Sequence, residues 1–355
     1  MPERTMSKKK AASGPPKTLA FFNNKGGVGK TTLSCNMAAL IAGMSGDDVL
    51  YVDCDPQCNA TQLLLDDEVW TEIFANRKSS SSHTILQPLQ YIRAGDSAVD
   101  ANIPVVRSAR FGIDVLPGHP GLSIVEDQFS SSWVDFKTGD NVGAARRTLW
   151  LRALVSKLHY RYVVFDMGPS LGPLNRTVLL GTDYFVTPMA ADLFSLYALD
   201  NIYEWMRLWI RAYSRAVKEL KGGASVDGDL ESIMLDRPSV EMGFAGYTVQ
   251  QYVSRTSGTN IRSVRAYDRY KNKIPERVKP LEKWAAEGVE SLELGVVPNM
   301  FSMVPLAQAA HAPIAALSAS DGLRGAQISQ NEKYTEQLQV IATALARIIG
   351  IKEAV

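Results

Sequence analysis

Short apolar runs alternate with longer stretches of helical periodicity along this chain. The runs predict strands at 18–23, 48–53, 112–116, 161–166, 183–188, 244–250 and 293–297. The periodic stretches predict helices at 30–43, 144–158, 196–219, 263–271 and 330–349. Runs such as Val49-Leu50-Tyr51-Val52 and Tyr162-Val163-Val164-Phe165 are apolar throughout, as expected of strands covered on both faces. The alternation therefore predicts an α/β fold: a doubly wound, mostly parallel sheet of about seven or eight strands with helices on both faces. Right-handed crossovers then bring the strands' carboxyl ends to one edge. Serine and glycine clusters at 79–82, 130–132 and 222–228 read as loops. No internal repeat is visible. Residues 1–17 read as a flexible basic tail and 18–350 as a single domain, with unusual segments near 67–140 and 215–240.

One loop between a strand and a helix carries chemistry. Residues 23–32 read Asn-Asn-Lys-Gly-Gly-Val-Gly-Lys-Thr-Thr, a variant of the general Gly-x4-Gly-Lys-Ser/Thr phosphate loop, with Lys25 before the first glycine of its core. Gly26, Gly27 and Gly29 let the backbone turn its amide hydrogens toward an anion. The following helix adds the positive end of its dipole. Lys30 is placed to reach the β- and γ-phosphates, and the Thr31 hydroxyl to hold Mg2+. Val28 and Thr32 complete the cradle. Lys25 has no place in the ordinary loop, and alone it reads as a solvated lysine at a strand end.

Two acidic blocks follow. The first is Asp53-Cys54-Asp55-Pro56-Gln57-Cys58-Asn59-Ala60-Thr61, closing a buried-strand run. Carboxylates at i and i+2 on a strand end point the same way, although two turn-forming aspartates before a proline would look similar. The second is Tyr162-Val163-Val164-Phe165-Asp166, followed by Met167-Gly168-Pro169-Ser170-Leu171-Gly172. Four apolar residues and an acid have the Walker B form, with Asp166 beside a metal.

Together the three blocks resemble the ParA family of the ParA/MinD superfamily, the deviant Walker A P-loop ATPases. The resemblance spans residues 18–66 and 145–350, sharp in these blocks and looser elsewhere. It implies an ATP-sandwich homodimer in which Lys25 crosses to the nucleotide bound by the partner subunit. It also implies water positioning by Asp55 and a Mg2+ set of Thr31, Asp53 and Asp166. Residues 168–172 become the switch loop, with Gly168 where the family commonly has proline. Cys58 stands where it usually has glycine. The strand through Gln251 and the turn at Pro298 fall where the family meets adenine.

Composition narrows the partners. The chain has 355 residues, 46% of them hydrophobic, and a net charge of +1. It is thus not a polyanion binder over its whole surface. No apolar run is long enough to cross a bilayer, and no apolar region follows the N-terminal lysines as in a secretory signal. Three cysteines, Cys35, Cys54 and Cys58, and four scattered histidines make no disulfide framework or structural metal site. A cytoplasmic location is expected, nucleoid-associated if the chain binds DNA.

Charge concentrates at 262–283. Arg262, Arg265, Arg269, Lys271, Lys273, Arg277, Lys279 and Lys283 face three acids, a local balance of +5. By the resemblance, this segment grips double-stranded DNA without sequence preference, in a salt-dependent manner; otherwise it is a solvated face. A ParB-like protein or cargo adaptor is the implied stimulator of hydrolysis. Two alternatives remain. A MinD-like membrane-positioning ATPase would use the last helix, but its polar side (Lys333, Glu336, Gln339, Arg347) is not the basic face expected at a bilayer. A P-loop metabolic ligase or kinase would need a small substrate.

Overall fold

The computed structural model describes residues 14–75, 79–223, 226–252, 254–257, 260–263, 265–300 and 302–351, and their side chains except within 251–267. The basic tail as far as residue 13 therefore lies outside the described residues. Among the described residues ten strands form: β1 Lys17–Phe21, β2 Val49–Asp53, β3 Val106–Ser108, β4 Ile113–Leu116, β5 Tyr162–Asp166, β6 Tyr184–Ala190, β7 Phe244–Tyr252, β8 Ser254–Ser257, β9 Asn260–Ser263 and β10 Glu293–Pro298. Eight of them make one sheet in the order β10-β7-β6-β1-β5-β2-β4-β3, and β8 pairs with β9 in a separate hairpin. Every pairing in the large sheet is parallel except β3 with β4. All seven strand runs read from the sequence are present. The three-residue β3 adds the eighth strand, too short to leave a periodic signal.

Alternation along the central strands divides the core into two layers. Ala20 and Phe22, Leu50 and Val52 face one layer with Trp150, Leu179 and Ile202. Leu19 and Phe21, Val49 and Tyr51 face the other with Leu33, Ile41 and Ile341. Helices therefore cover both faces, which is why these strands read as continuously apolar. Helix Lys30–Ser45 and the last helix, Ala326–Ile348, lie in the second layer. Leu338, Ile341, Leu345 and Ile348 of the last helix are buried, so its apolar side is spent on the core.

Two loop assignments are corrected. Ser130–Ser132 lies inside helix Leu122–Phe136. Leu122, Val125, Phe129, Trp133 and Phe136 supply a buried stripe there, and packing of that stripe overrides the weak helix preference of serine. Ser80–His83 forms a single 3-10 turn, and Gly222 and Gly223 end the long helix Leu193–Gly223. The helix expected at 144–158 is broken at Leu149 into Val142–Thr148 and Trp150–Val155.

Candidate nucleotide site

The register of three neighbouring strands assembles the site. Phe21 of β1 and Asp53 of β2 both pair with Asp166 of β5, which lies between them. The phosphate loop leaves β1 at this edge, and both acidic blocks end beside it. Asn23 fixes the loop's start: its amide donates to the Pro188 carbonyl (2.6 Å), and its side-chain oxygen accepts the Lys25 amide (2.9 Å). Gly27 and Gly29 have φ of 72° and 75°, a region that favours glycine. The helix begins immediately at Lys30.

Lys30 is buried, and its ammonium donates to the Lys25 carbonyl at 3.2 Å. Burial lowers its pKa, opposed by the charges of Asp166 and Asp55. The Thr31 hydroxyl donates to Asp166 Oδ2 at 2.7 Å. Asp166 is fully buried, yet its Oδ1 has no hydrogen-bond partner. Burial, then the charge of Asp53, raises the Asp166 carboxyl well above the usual carboxylate range. A half-buried hydroxyl on a buried carboxylate with one orphaned oxygen fits a divalent cation.

Asp53 is engaged differently. Its Oδ1 accepts the Asp55 amide (3.1 Å), and its Oδ2 accepts the Thr61 amide (2.9 Å) and hydroxyl (2.7 Å). These bonds tie the acidic loop together. Asp55 Oδ1 accepts the Gln57 amide at 2.9 Å, and Asp55 lines the phosphate cavity. Cys58 adopts φ 54°, the left-handed geometry that accounts for glycine at this position in the resembling family. The loop after β5 is fastened from behind: Asn175 donates to the carbonyls of Gly168 (2.8 Å) and Ser170 (2.7 Å).

Two cavities meet at the phosphate loop. One of about 650 Å³ is lined by residues 26–32, Asp55 and Pro169, and extends to Asp67, Trp70, Gln308 and His311. The other, about 320 Å³, shares Gly29 and Thr32 with the first and is lined by Gln250, Pro298, Asn299 and Met300. Pro298 thus lines a cavity that adjoins the phosphate loop. The Gln251 side chain lies outside the described residues; its neighbour Gln250 lines the cavity. Gln250, Asn299 and Asn175 were missed in the sequence. Strand alternation across 250 and 251 was the available signal for the first.

Lys25 points away from its own loop. Its ammonium pairs with Asp192, whose Oδ1 also accepts the Ser195 amide (2.9 Å) at the start of helix Leu193–Gly223. The basic segment is dispersed. Arg269, Lys273 and Lys279 are exposed. Arg277, by contrast, pairs with Asp200, Lys271 approaches Glu293 at 4.0 Å, and Lys283 lies 4.6 Å from the Tyr203 and Trp284 rings. The side chains of Arg262 and Arg265 lie outside the described residues. The register of β8 with β9 sets Arg255 opposite Arg262.

Comparison with known proteins supplies independent evidence. A family model described as an AAA domain matches residues 16–219. The chromosome partitioning protein ParA of Caulobacter vibrioides is 25% identical over 228 residues, 63% of this chain and 70% of that protein. The crystal structure of protein DIP2308 from Corynebacterium diphtheriae superposes with a TM-score of 0.75 at 33% identity, covering 94% of this chain and 98% of that one. The McdA–ATP complex of Cyanothece gives 0.59 at 17% identity, covering 97% and 100%, a likeness of fold.

Proposed function

The chain belongs to this AAA-domain family of ParA/MinD-type P-loop ATPases, and from that premise we propose that it is an ATP-dependent dimerising switch that hydrolyses ATP slowly until a partner stimulates it. The observation that carries the reading is the Thr31–Asp166 pair, half-buried at Thr31 and fully buried at Asp166, set between the phosphate loop and Asp55.

Residues 26–32 hold the triphosphate through backbone amides, and Lys30 balances its charge. Gln250 and Pro298 border the base. Mg2+ held by Thr31 and Asp166 would neutralise developing phosphate charge. Asp55 orients the attacking water, and Asp53 keeps Asp55 in place. Lys25 exchanges Asp192 for the nucleotide of a second copy, which couples ATP to a homodimer. Partner-stimulated hydrolysis dissolves the dimer, and the cycle partitions or positions DNA or another cargo. Arg269, Lys273 and Lys279 are exposed cations that offer contacts to a DNA backbone.

A metabolic ligase or kinase is the second reading. The part of the larger cavity bounded by Trp70, Asp67 and His311 favours it, because that space extends beyond the phosphate loop. A membrane-bound switch is less favoured, since the apolar side of the last helix is buried. Among the described residues no helix is long and apolar enough to cross a membrane.

The test is binding to random-sequence duplex DNA with ATP, ADP or no nucleotide, at two salt concentrations, with molecular mass followed by light scattering. ATP-dependent doubling of mass with salt-sensitive DNA binding is the expected result. Hydrolysis that required a small organic substrate, with no change of mass, would favour the ligase.

A further inference from the structure

Helix Pro173–Gly181, which follows loop 168–172, opens without a cap of its own. Gly172 at its start has no side chain, and Pro173 has no amide hydrogen. The first amide in need of an acceptor is therefore that of Leu174. Glu126, from helix Leu122–Phe136, supplies the acceptor. A carboxylate there also meets the positive end of the helix dipole. Burial raises the Glu126 carboxyl above its ordinary range, and the Leu174 amide opposes the rise. Glu126 is half-buried, and its helix is anchored in the core by Leu122, Val125 and Phe129.

The approach of carboxylate to loop is close. A Cβ on Gly172 would stand 2.8 Å from Glu126 Oε1, so glycine here leaves the carboxylate its place. The loop that ends at Gly172 begins at the nucleotide site. A Cβ on Gly168 would meet Asp55 Oδ1 at 3.3 Å, and one on Gly26 would lie 3.8 Å from the Pro169 ring. Loop 168–172 therefore has Glu126 at one end, and Asp55 and the phosphate loop at the other. Asn175, beside Leu174 on the helix, joins the two ends through the Gly168 and Ser170 carbonyls. A displacement of the helix start is thus passed back to Gly168.

We propose that Glu126 is a positioning residue for hydrolysis: it fixes the start of helix Pro173–Gly181 and, through loop 168–172, the setting of Asp55. It acts through the loop and not on the nucleotide. It comes from the unusual segment 67–140, outside the blocks that resemble the ParA family. Its effect on turnover rests on the ATPase reading; the cap itself does not.

The experiment pairs steady-state ATP hydrolysis by the full chain, with Mg2+ and no partner, with amide hydrogen exchange of the nucleotide-free chain. Glu126→Ala is expected to lower kcat about tenfold and to leave KM for ATP unchanged. In the same variant the Leu174 amide exchanges faster. Glu126→Gln keeps an acceptor oxygen and restores most of both. Gly172→Ala reproduces the loss, because its Cβ displaces the carboxylate, and adding it to Glu126→Ala lowers kcat no further. Asp227→Ala is the control. Asp227 caps helix Gly228–Ile233 by accepting the Leu230 amide at 3.0 Å, and its loss leaves kcat unchanged. A wild-type kcat in Glu126→Ala, a raised KM in place of a lowered kcat, or an equal loss in Asp227→Ala overturns the proposal. If Glu126→Ala does not fold, Gly172→Ala decides: unchanged kcat there also overturns it. A wild type that hydrolyses no ATP overturns the ATPase reading instead. Leu174 exchange then decides the cap, and equal exchange in wild type and Glu126→Ala overturns that as well.

Discussion

Asp166 illustrates how a single side chain can serve a ligand at the expense of stability. Buried beside Asp53, its carboxylate costs the nucleotide-free fold stability that a neutral Asn would not. Asp166→Asn is expected to raise the Tm of the nucleotide-free protein by about 2–4 °C while abolishing the further rise on adding Mg2+ and ATP; scanning calorimetry reads both. Because burial raises this carboxyl, the folded chain holds its proton more tightly than the unfolded chain does. The wild type therefore gains stability as pH falls below neutrality, and the variant's advantage shrinks with it. Lys30→Ala should weaken ATP binding by about 10- to 100-fold in a nucleotide titration. Gly168 reports on geometry: a Cβ there would stand 3.3 Å from Asp55 Oδ1. Gly168→Ala should leave ATP affinity unchanged and slow stimulated turnover by about tenfold, through displacement of Asp55. The phosphate loop and the three acids were legible because their spacing is itself the chemistry. Gln250 was not, because a one-residue shift along a strand exchanges the face that meets the ligand.

At the scale of elements, strand runs were readable wherever both faces are buried, since such strands are uniformly apolar. The helix over Ser130–Ser132 was not, because its serines mask a stripe whose value comes only from packing against neighbouring helices. The basic segment shows the limit of counting charge. Its cations split between partners and solvent, a division set by Asp200, Glu293 and two aromatic rings from elsewhere in the chain. The DNA reading can be tested at this resolution. Replacing Arg269, Lys273 and Lys279 together by Gln should reduce the slope of log K against log salt by up to about 3. Arg277→Gln alone should change it little, because that guanidinium is already committed to Asp200. Equal effects of the two sets would assign the contact elsewhere.

For the whole molecule, the order β6-β1-β5-β2 at the centre of the sheet decides everything downstream. It sets the phosphate loop, Asp166 and Asp53 side by side, and it leaves the start of helix Leu193–Gly223 within reach of Lys25. ATP should double the molecular mass of the wild type by light scattering. Lys25→Ala should still bind ATP as a single chain but fail to double. A variant that dimerised on ATP and hydrolysed at the normal stimulated rate would remove Lys25 from the interface.

The Lys25–Asp192 pair has a further consequence, best expressed as a threshold. Each chain must break its pair before two can close, so the cost enters the assembly constant twice. A partly exposed pair is worth at most about 1 kcal/mol, or about fivefold for one chain and about 25-fold for a dimer. Assembly would then vary as the square of a small local penalty. Asp192→Asn should accordingly form dimers at a much lower protein concentration for the same ATP. A weak surface contact would in this way set how crowded the protein must become before it responds to nucleotide at all.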